Sequence, residues 1–497
     1  MNVLRVCLPL SLGFFVPIVS SETIFVDITA TGAGTGASWV DAYTDLQPAL
    51  ARANPFDEIW VADGIYTPGA ERESAFAMAP GVAVYGGFAG GETQLEERDP
   101  AAHPAILSGD IGQEEDPADN CFHVFHHPSG SGLDSTALLD GFTVTGGTAD
   151  GYGSDGAGGG MCNSNCAPRI INTAFVDNAA IVGGGVYASG SNGRFIDVVF
   201  AGNRADLGGG GVGNEGGNPC FAQCEFRDNS AGSYGGGLSN DLASADLVGC
   251  RFVRNHAGDA GGAISNYTYA EPHLINCTLT ENSATLGGAI WNGYAFPVLR
   301  NCILWGNVPE EIYGEGTAAT YSDIQGGYPG EGNIALDPAF VDPETGDLRL
   351  RADSPCIDAG DPDPAYDDGC RPPGRGGARC DMGGYGGPEN CRLLSSAGAA
   401  DPPPTAAGAA TRAQPNPFDG ETVIGFNLPV PTLVRIVIFD AAGRRVRELS
   451  SSLRAPGTVR WDGRDARGHR VSAGTYLYQL RASGGSLAGG RVMRAPQ

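Results

Sequence analysis

Gly261-Gly262-Ala263-Ile264-Ser265-Asn266 and, 26 residues later, Gly287-Gly288-Ala289-Ile290-Trp291-Asn292 are two copies of one phrase. Looser copies precede them at Gly159-Gly160-Met161, Gly184-Gly185-Val186, Gly210-Gly211-Val212 and Gly236-Gly237-Leu238, so that successive apolar positions lie 25, 26, 26, 26 and 26 residues apart. A second phrase, an apolar residue followed three places on by Asn, alternates with the first. It pairs Phe175 with Asn178, Phe200 with Asn203, Phe226 with Asn229, Phe252 with Asn255, Leu279 with Asn282 and Leu304 with Asn307. A fixed period of this length across 158–307 means stacked supersecondary units.

Each period holds short alternating runs and no helical pattern. In Cys250-Arg251-Phe252-Val253, Cys250 and Phe252 share one face and Arg251 takes the other. The glycines between runs suit sharp corners, where a positive φ or a close backbone approach excludes a Cβ. Strands and corners without helices close one coil of a parallel β-solenoid. Stacking then places Asn214, Asn240, Asn266 and Asn292 in one ladder, and Asn178, Asn203, Asn229, Asn255, Asn282 and Asn307 in another. An amide has donors and an acceptor, so it can bond up and down such a column, and an Asn placed at a corner tolerates the left-handed conformation.

The chain has 497 residues, 78 of them Gly; its 30 basic residues are all Arg, and against 57 acidic ones they leave a net charge of -27. That balance disfavours nucleic acid and anionic membrane surfaces as partners. Residues 1–21 read as a signal peptide: Arg5, an apolar core from Leu8 to Val19, and small residues before Glu22. No later stretch is long and apolar enough for a membrane helix. Of the 13 Cys, Cys224, Cys250, Cys277 and Cys302 share one column with Val198 and Thr173, and we read them as buried thiols, with bridges between adjacent coils as the alternative. Export favours disulfides elsewhere, locally Cys162–Cys166 and Cys370–Cys380.

Around the regular coils, 22–70 reads as a cap: a strand at 23–26, a short amphipathic helix at 45–53 and a strand at 59–62. The β-helix as a whole spans 22–393. An Ala-, Pro- and Gly-rich linker follows at 394–413, and then a small antiparallel sandwich at 414–497. Strands are predicted there at 422–428, 433–439, 445–449, 457–461, 474–482 and 491–494. The fold class expected is therefore all-β: a parallel β-helix followed by a β-sandwich.

Several phrases carry a resemblance. Ile59-Trp60-Val61-Ala62-Asp63-Gly64-Ile65-Tyr66, Tyr85-Gly86-Gly87-Phe88 and Ser354-Pro355-Cys356-Ile357-Asp358-Ala359-Gly360 resemble secreted bacterial right-handed parallel β-helix proteins. The Gly-Gly-Ala-Ile and Phe-x-x-Asn phrases are similar to the repeats of chlamydial polymorphic outer membrane proteins, which are autotransporter adhesins. The membrane barrel that ends those proteins has no counterpart in the strand pattern after Asn390. Pro415-Asn416-Pro417-Phe418, Trp461-Asp462-Gly463 and Gly474-Thr475-Tyr476 resemble the Ig-like modules of type IX secretion sorting domains and of flagellar hook-capping proteins. These resemblances imply right-handed winding and sorting to, or attachment at, the cell surface; a plain spacer domain is the alternative.

Chemistry is sparse. Gly151-Tyr152-Gly153-Ser154-Asp155-Gly156 fits GxGxxG without its strand–helix frame and reads as a loop. His123, His126 and His127 lie near Cys121 and read as surface or corner histidines rather than a metal site. Asp361, Asp363, Asp367 and Asp368 crowd one Pro-rich loop and form the candidate Ca²⁺ site, weighed against a solvated acidic loop. The regular coils show no compact catalytic motif. The reading is a secreted or surface-exposed, monomeric, non-enzymatic adhesin or glycan- or matrix-binding scaffold, whose partner is an extracellular glycan or a surface protein. The alternatives are a polysaccharide lyase or glycoside hydrolase on the same scaffold, which needs a carboxylate cluster with Arg or Ca²⁺ beside it, and an envelope component with a purely structural role.

Overall fold

The computed structural model describes residues 21–113, 116–370, 374–388 and 390. From the C-terminal part it describes 410–414, 418, 420–427, 434–440, 445–453, 457–465, 467–472, 474–482 and 485–494. Residues 1–20 of the stretch read as a signal peptide (1–21), and 391–409 of the stretch read as a linker, lie outside these residues. The chain divides into two compact units, 1–398 and 399–497.

The first unit is a parallel β-helix. One coil runs through Val186–Ser189, Arg194–Ile196, Val199–Ala201 and Arg204–Gly208, and each of these strands pairs in parallel with its counterpart one period later. Repetition builds four parallel sheets, of 8, 11, 10 and 5 strands in that order. We call them the glycine face, the first face, the second face and the short face.

Register stacks like on like, as a constant period requires. Phe175, Phe200, Phe226 and Phe252 are adjacent in the second face, and their rings lie nearly parallel with centroids 5.5, 4.7 and 4.4 Å apart. That separation is the inter-strand spacing imposed on side chains. Cys224, Cys250, Cys277 and Cys302 are free buried thiols whose Sγ atoms donate to the Phe195, Phe221, Leu247 and Leu274 carbonyls respectively. Burial pushes the Cys224 and Cys277 thiols up. The local disulfides do not form: Cys162, Cys166 and Cys380 are free thiols, and Cys370 is bridged but not to Cys380. Cys162 faces out of the glycine face beside Tyr187, in a strand that Cys166 has already left at the following corner.

The corners explain the glycine phrase. Gly235 has φ +63°, and a Cβ on the next residue, Gly236, would lie 2.4 Å from the His256 carbonyl and 2.5 Å from that of Gly262. The first glycine turns the chain and the second lets the neighbouring coil approach. The third position is looser and accepts Ala263 and Ala289. At the Phe-x-x-Asn corner the structure differs from expectation. The left-handed residue is the one before each ladder Asn: Asp177, Gly202, Asp228, Arg254, Glu281 and Gly306 have φ between 53° and 76°. The Asn itself must aim its amide inward, so its predecessor makes the turn.

The first coil and part of the second face are covered. Helix Leu46–Arg52, N-capped by Asp45, buries Leu46, Ala49 and Leu50 at the first coil. Beyond the last coil the chain turns back along the second face. There the Phe340–Asp342/Asp347–Leu350 hairpin, Cys356 and Met382 pack on Val253 and Ile303.

In the second unit, strands Val434–Asp440, Arg445–Leu453, Gly474–Ala482 and Gly485–Arg494 make one antiparallel sheet. Ala410–Gln414, Thr422–Asn427 and Gly457–Trp461 make another. Ile424, Ile436, Ile438, Trp461, Tyr476 and Tyr478 share its core. Several boundaries move, among them the strand expected at 445–449, which runs on to Leu453. The stretch read as linker ends in the strand Ala410–Gln414, held by pairing with Thr422–Asn427 rather than by any alternation of its own. The last strand begins at Gly485, because backbone pairing continues through its glycines.

Candidate functional site

The corner ladder is built into the backbone. The Asn203 Oδ1 accepts both the backbone N–H and the Nδ2–H of Asn178, and the same double bond recurs from Asn203 to Asn229, Asn229 to Asn255, Asn255 to Asn282 and Asn282 to Asn307. From Asn203 on, each Nδ2 also donates to the carbonyl of the apolar residue that opens the preceding phrase, for example Asn229 to Phe200 at 2.8 Å. The column ends on Glu311. Its carboxyl receives the Asn307 N–H at 3.2 Å and the Asn307 Nδ2–H at 2.5 Å, so it stands where the next amide would. Burial is the largest influence on Glu311 and pushes its carboxyl up to about 7, against the hydrogen bonds from Asn307.

The glycine-face ladder is made of side chains alone. Asn214 donates to Asn240, Asn240 to Asn266 and Asn266 to Asn292 at 3.0 to 3.1 Å, and Asn292 donates to the Thr317 hydroxyl. Two further members stand on the other side of a gap. His127 Nε2 accepts the Met78 N–H, so Nδ1 carries the proton and donates to Asn163 Oδ1 at 2.7 Å. Ala188 stacks between Asn163 and Asn214. The Asn163 Nδ2 and the Asn214 Oδ1 are both buried and lack a partner.

Outside this ladder, the glycine face carries a hollow of about 340 Å³. Its floor is Tyr187, Gly213 and Ser239, three members of the outward column Tyr187, Gly213, Ser239, Ser265, Trp291, in which small residues separate two aromatic ones. Val182, Leu207 and Tyr234, from the short face and the corner after it, form one side. Glu215, Asp241 and Tyr267, successive in register, form the other. The Tyr234 and Tyr267 rings meet at 87° with centroids 5.1 Å apart, and Trp291 backs both, 5.8 and 4.8 Å away. The Tyr187 hydroxyl donates to the Glu215 carboxylate. Burial, then that carboxylate, push the Tyr187 phenol up; burial, then Tyr234, do the same for Tyr267. Both stay neutral hydroxyls at physiological pH. No basic side chain lines the hollow among the described residues. Aromatic faces, hydroxyls and two carboxylates in one open concavity suit a polar, hydroxyl-rich ligand.

A second hollow, of about 490 Å³, lies where the hairpin crosses the second face. Trp305, Glu281, Asp337, Asp342, Glu344 and Arg351 line it. The Arg351 guanidinium pairs with Asp353 at 3.2 Å.

The acidic loop is spent on structure. Asp361 is buried, takes the Arg300 guanidinium at 2.6 Å and donates its backbone N–H to Asn301 Oδ1. Asp363 caps the short 3₁₀ turn Pro364–Tyr366. Asp368 is buried and accepts the Asp381 and Gly387 backbone N–H groups, while Asp367 ends the turn. Among the described residues no group of three or more His, Cys, Asp or Glu is placed to hold a metal ion, so the four aspartates do not converge as a Ca²⁺ site would require. Two of the three histidines are also not surface groups, and His126 is half-buried. His123 and His127 are buried, and desolvation pushes each down to about 4.

Apart from the ladder residue Asn214, no residue lining the hollow was singled out by the sequence. The ladders repeat, whereas Tyr187, Glu215, Asp241, Tyr267 and Trp291 occupy outward positions where each coil carries a different residue.

Compared with known proteins, residues 412–486 match the FlgD Ig-like domain family. No curated protein matches. Among solved structures, the chain is similar to pectate lyase Pel9A at 13% identity and a TM-score of 0.39, covering 74% of this chain and 96% of that one. It is also similar to dimeric latent PorU from Porphyromonas gingivalis at 24% identity and a TM-score of 0.17, covering 18% of this chain and 9% of that one. The C-terminal unit thus carries an Ig-like match, and the parallel sheets themselves define the first unit as a β-helix. No helix among the described residues is long and apolar enough to cross a membrane.

Proposed function

We propose that this is a secreted or surface-exposed β-helix scaffold that binds an extracellular glycan without transforming it. The observation that carries the reading is the hollow on the glycine face, where Tyr187, Tyr234 and Tyr267 gather around Glu215 and Asp241 on a rigid stack of coils, with Trp291 behind the Tyr234 and Tyr267 rings. Sugars present apolar ring faces and hydroxyl rims. Aromatic rings cover the first, while carboxylates and hydroxyls receive the second. The leader read at 1–21 and the Ig-like match at 412–486 support export and attachment at the surface, the C-terminal unit acting as the sorting or tethering module. The resemblance to polymorphic outer membrane protein repeats supports an adhesive role.

The test is a glycan array probed with the full chain, with and without Ca²⁺, beside detection of shortened or unsaturated products. Intact bound ligand is expected. Tyr234→Ala should weaken binding by about ten-fold, the equivalent of roughly 1.4 kcal/mol of ring contact, with the denaturation midpoint nearly unchanged because Tyr234 is 37% exposed. Undiminished binding by this variant would move the ligand elsewhere.

The second reading, a polysaccharide lyase or glycoside hydrolase, has its own observation in the second hollow, where four carboxylates and Arg351 gather. Products that appear with the parent chain and vanish with Asp337→Asn or Arg351→Ala would favour it over the first.

A further inference from the structure

A glycan site can be neutral, anionic or cationic in preference, and the glycine-face hollow has features that separate the three. Its lining holds two carboxylates and no Lys, Arg or His among the described residues. An anionic sugar would meet Glu215 and Asp241 with no compensating cation, and like-charge contact in a concave, partly desolvated site is unfavourable. The whole chain adds to this repulsion with its net charge of -27.

The aromatic geometry carries the argument further. A flat platform of coplanar rings suits the apolar face of a neutral sugar. Here the Tyr234 and Tyr267 rings stand at 87°, and Trp291 is tilted 57° from Tyr267, so the ring planes turn around a corner instead of lying flat. Ring planes set at an angle, with carboxylates close by, make the usual surroundings of a positively charged nitrogen. The ring quadrupoles attract the cation and the carboxylates take its N–H groups.

The position of the carboxylates fits as well. Glu215 and Asp241 are direct register partners on adjacent strands, so two like charges stand one inter-strand spacing apart on an exposed face. Like charges directly opposite one another in a sheet are destabilising. A bound ammonium group between them would relieve that repulsion. Tyr187 holds the Glu215 carboxylate from its other side through its hydroxyl.

From these features we infer that the hollow recognises a cationic amino glycan, a polymer of hexosamine with free amino groups, through Tyr234, Tyr267, Glu215 and Asp241. The inference rests on the glycan-binding reading above and deepens it.

The experiment measures binding of the full chain to three oligosaccharides of equal length: a fully acetylated N-acetylglucosamine oligomer, its fully deacetylated counterpart, and an oligogalacturonate. The deacetylated oligomer is expected to bind at least about ten-fold tighter than the acetylated one, and the preference should shrink as salt rises and as pH passes above the amine's own pKa. The double variant Glu215→Gln, Asp241→Asn should bring the two oligomers to near parity. Both side chains are exposed and a neutral amide preserves their shape, so the denaturation midpoint should hold or rise. Equal binding of the acetylated and deacetylated forms, or tightest binding of the oligogalacturonate, would overturn the cationic preference and leave the glycan site standing. Failure of all three to bind would overturn both.

Discussion

Two columns of buried asparagine run through the same coils, one unbroken and the other with a gap. The corner column passes from Asn178 to Asn307 without interruption and ends on Glu311, whereas the glycine-face column skips a rung at Ala188. The difference lies in what each amide holds. A corner Asn accepts a neighbour's backbone N–H as well as its side chain, and its own Nδ2 satisfies a carbonyl of the preceding coil. Removing it orphans main-chain groups that cannot move to water. A glycine-face Asn bonds only to the amides above and below, because its strand's backbone groups are already paired in the sheet. Omitting one leaves two side-chain atoms unmet, which the fold tolerates.

That contrast can be broken at single residues. Asn229→Ala should be the most damaging change: it removes the acceptor for the Asn203 N–H and Nδ2–H and the donor to the Phe200 carbonyl, all in the buried interior. A loss of about 3–5 kcal/mol in chemical denaturation is expected. Asn240→Ala, which strands only the Asn214 Nδ2 and the Asn266 Oδ1, should lose about 1–3 kcal/mol. Equal losses at the two sites would remove the distinction between the ladders.

The end of the corner ladder should be sensitive to pH. The Glu311 carboxyl is raised from 4.5 to about 7 in the folded chain, so the neutral form is the one that folding favours. Its contribution is fully present below about pH 4.5 and is lost as pH rises through about 7, a span worth roughly 3 kcal/mol at most. Glu311→Gln keeps an acceptor for Asn307 without the charge. Its stability relative to the parent chain should climb between these two pH values and level off above. A pH-independent difference would mean that burial does not control this group.

The smallest effect expected is a gain. Ala188→Asn would supply an Oδ1 to the Asn163 Nδ2 and an Nδ2 to the Asn214 Oδ1, joining the His127–Asn163 segment to the rest of the column. Two buried groups acquire partners, and a rise of about 1 kcal/mol in stability should follow, with slower amide exchange at Tyr187 and Gly213. A loss of stability would show that the space beside Ala188 is too small for an amide.

The sequence exposed the coils to the degree that they repeat. The spacings of Asn203, Asn229 and Asn255 already required one residue above another, and Val198 in the Cys224 column marked those thiols as packing groups. It misread the corner, because a period shows that an Asn recurs but not that Asp177 or Arg254 before it makes the turn. It proposed a disulfide between Cys370 and Cys380 from proximity along the chain, where the fold buries Cys380 as a free thiol against Asn276 and Asn301. It gathered four aspartates into one loop, where Arg300, backbone amides and a 3₁₀ turn engage Asp361, Asp368 and Asp363. The site on the glycine face was not legible at all.

Inward positions determined the architecture from the sequence alone, because every coil presents the same surface to the next and so must repeat the same side-chain chemistry. Outward positions have no such neighbour to match. Only the stacking of four coils brought Tyr187, Glu215, Tyr234, Asp241 and Tyr267, scattered over about eighty residues, around one hollow. The tertiary structure decided the site because a distance along the axis depends on the number of coils between two residues, and their neighbourhood on a face depends on where each falls within its coil.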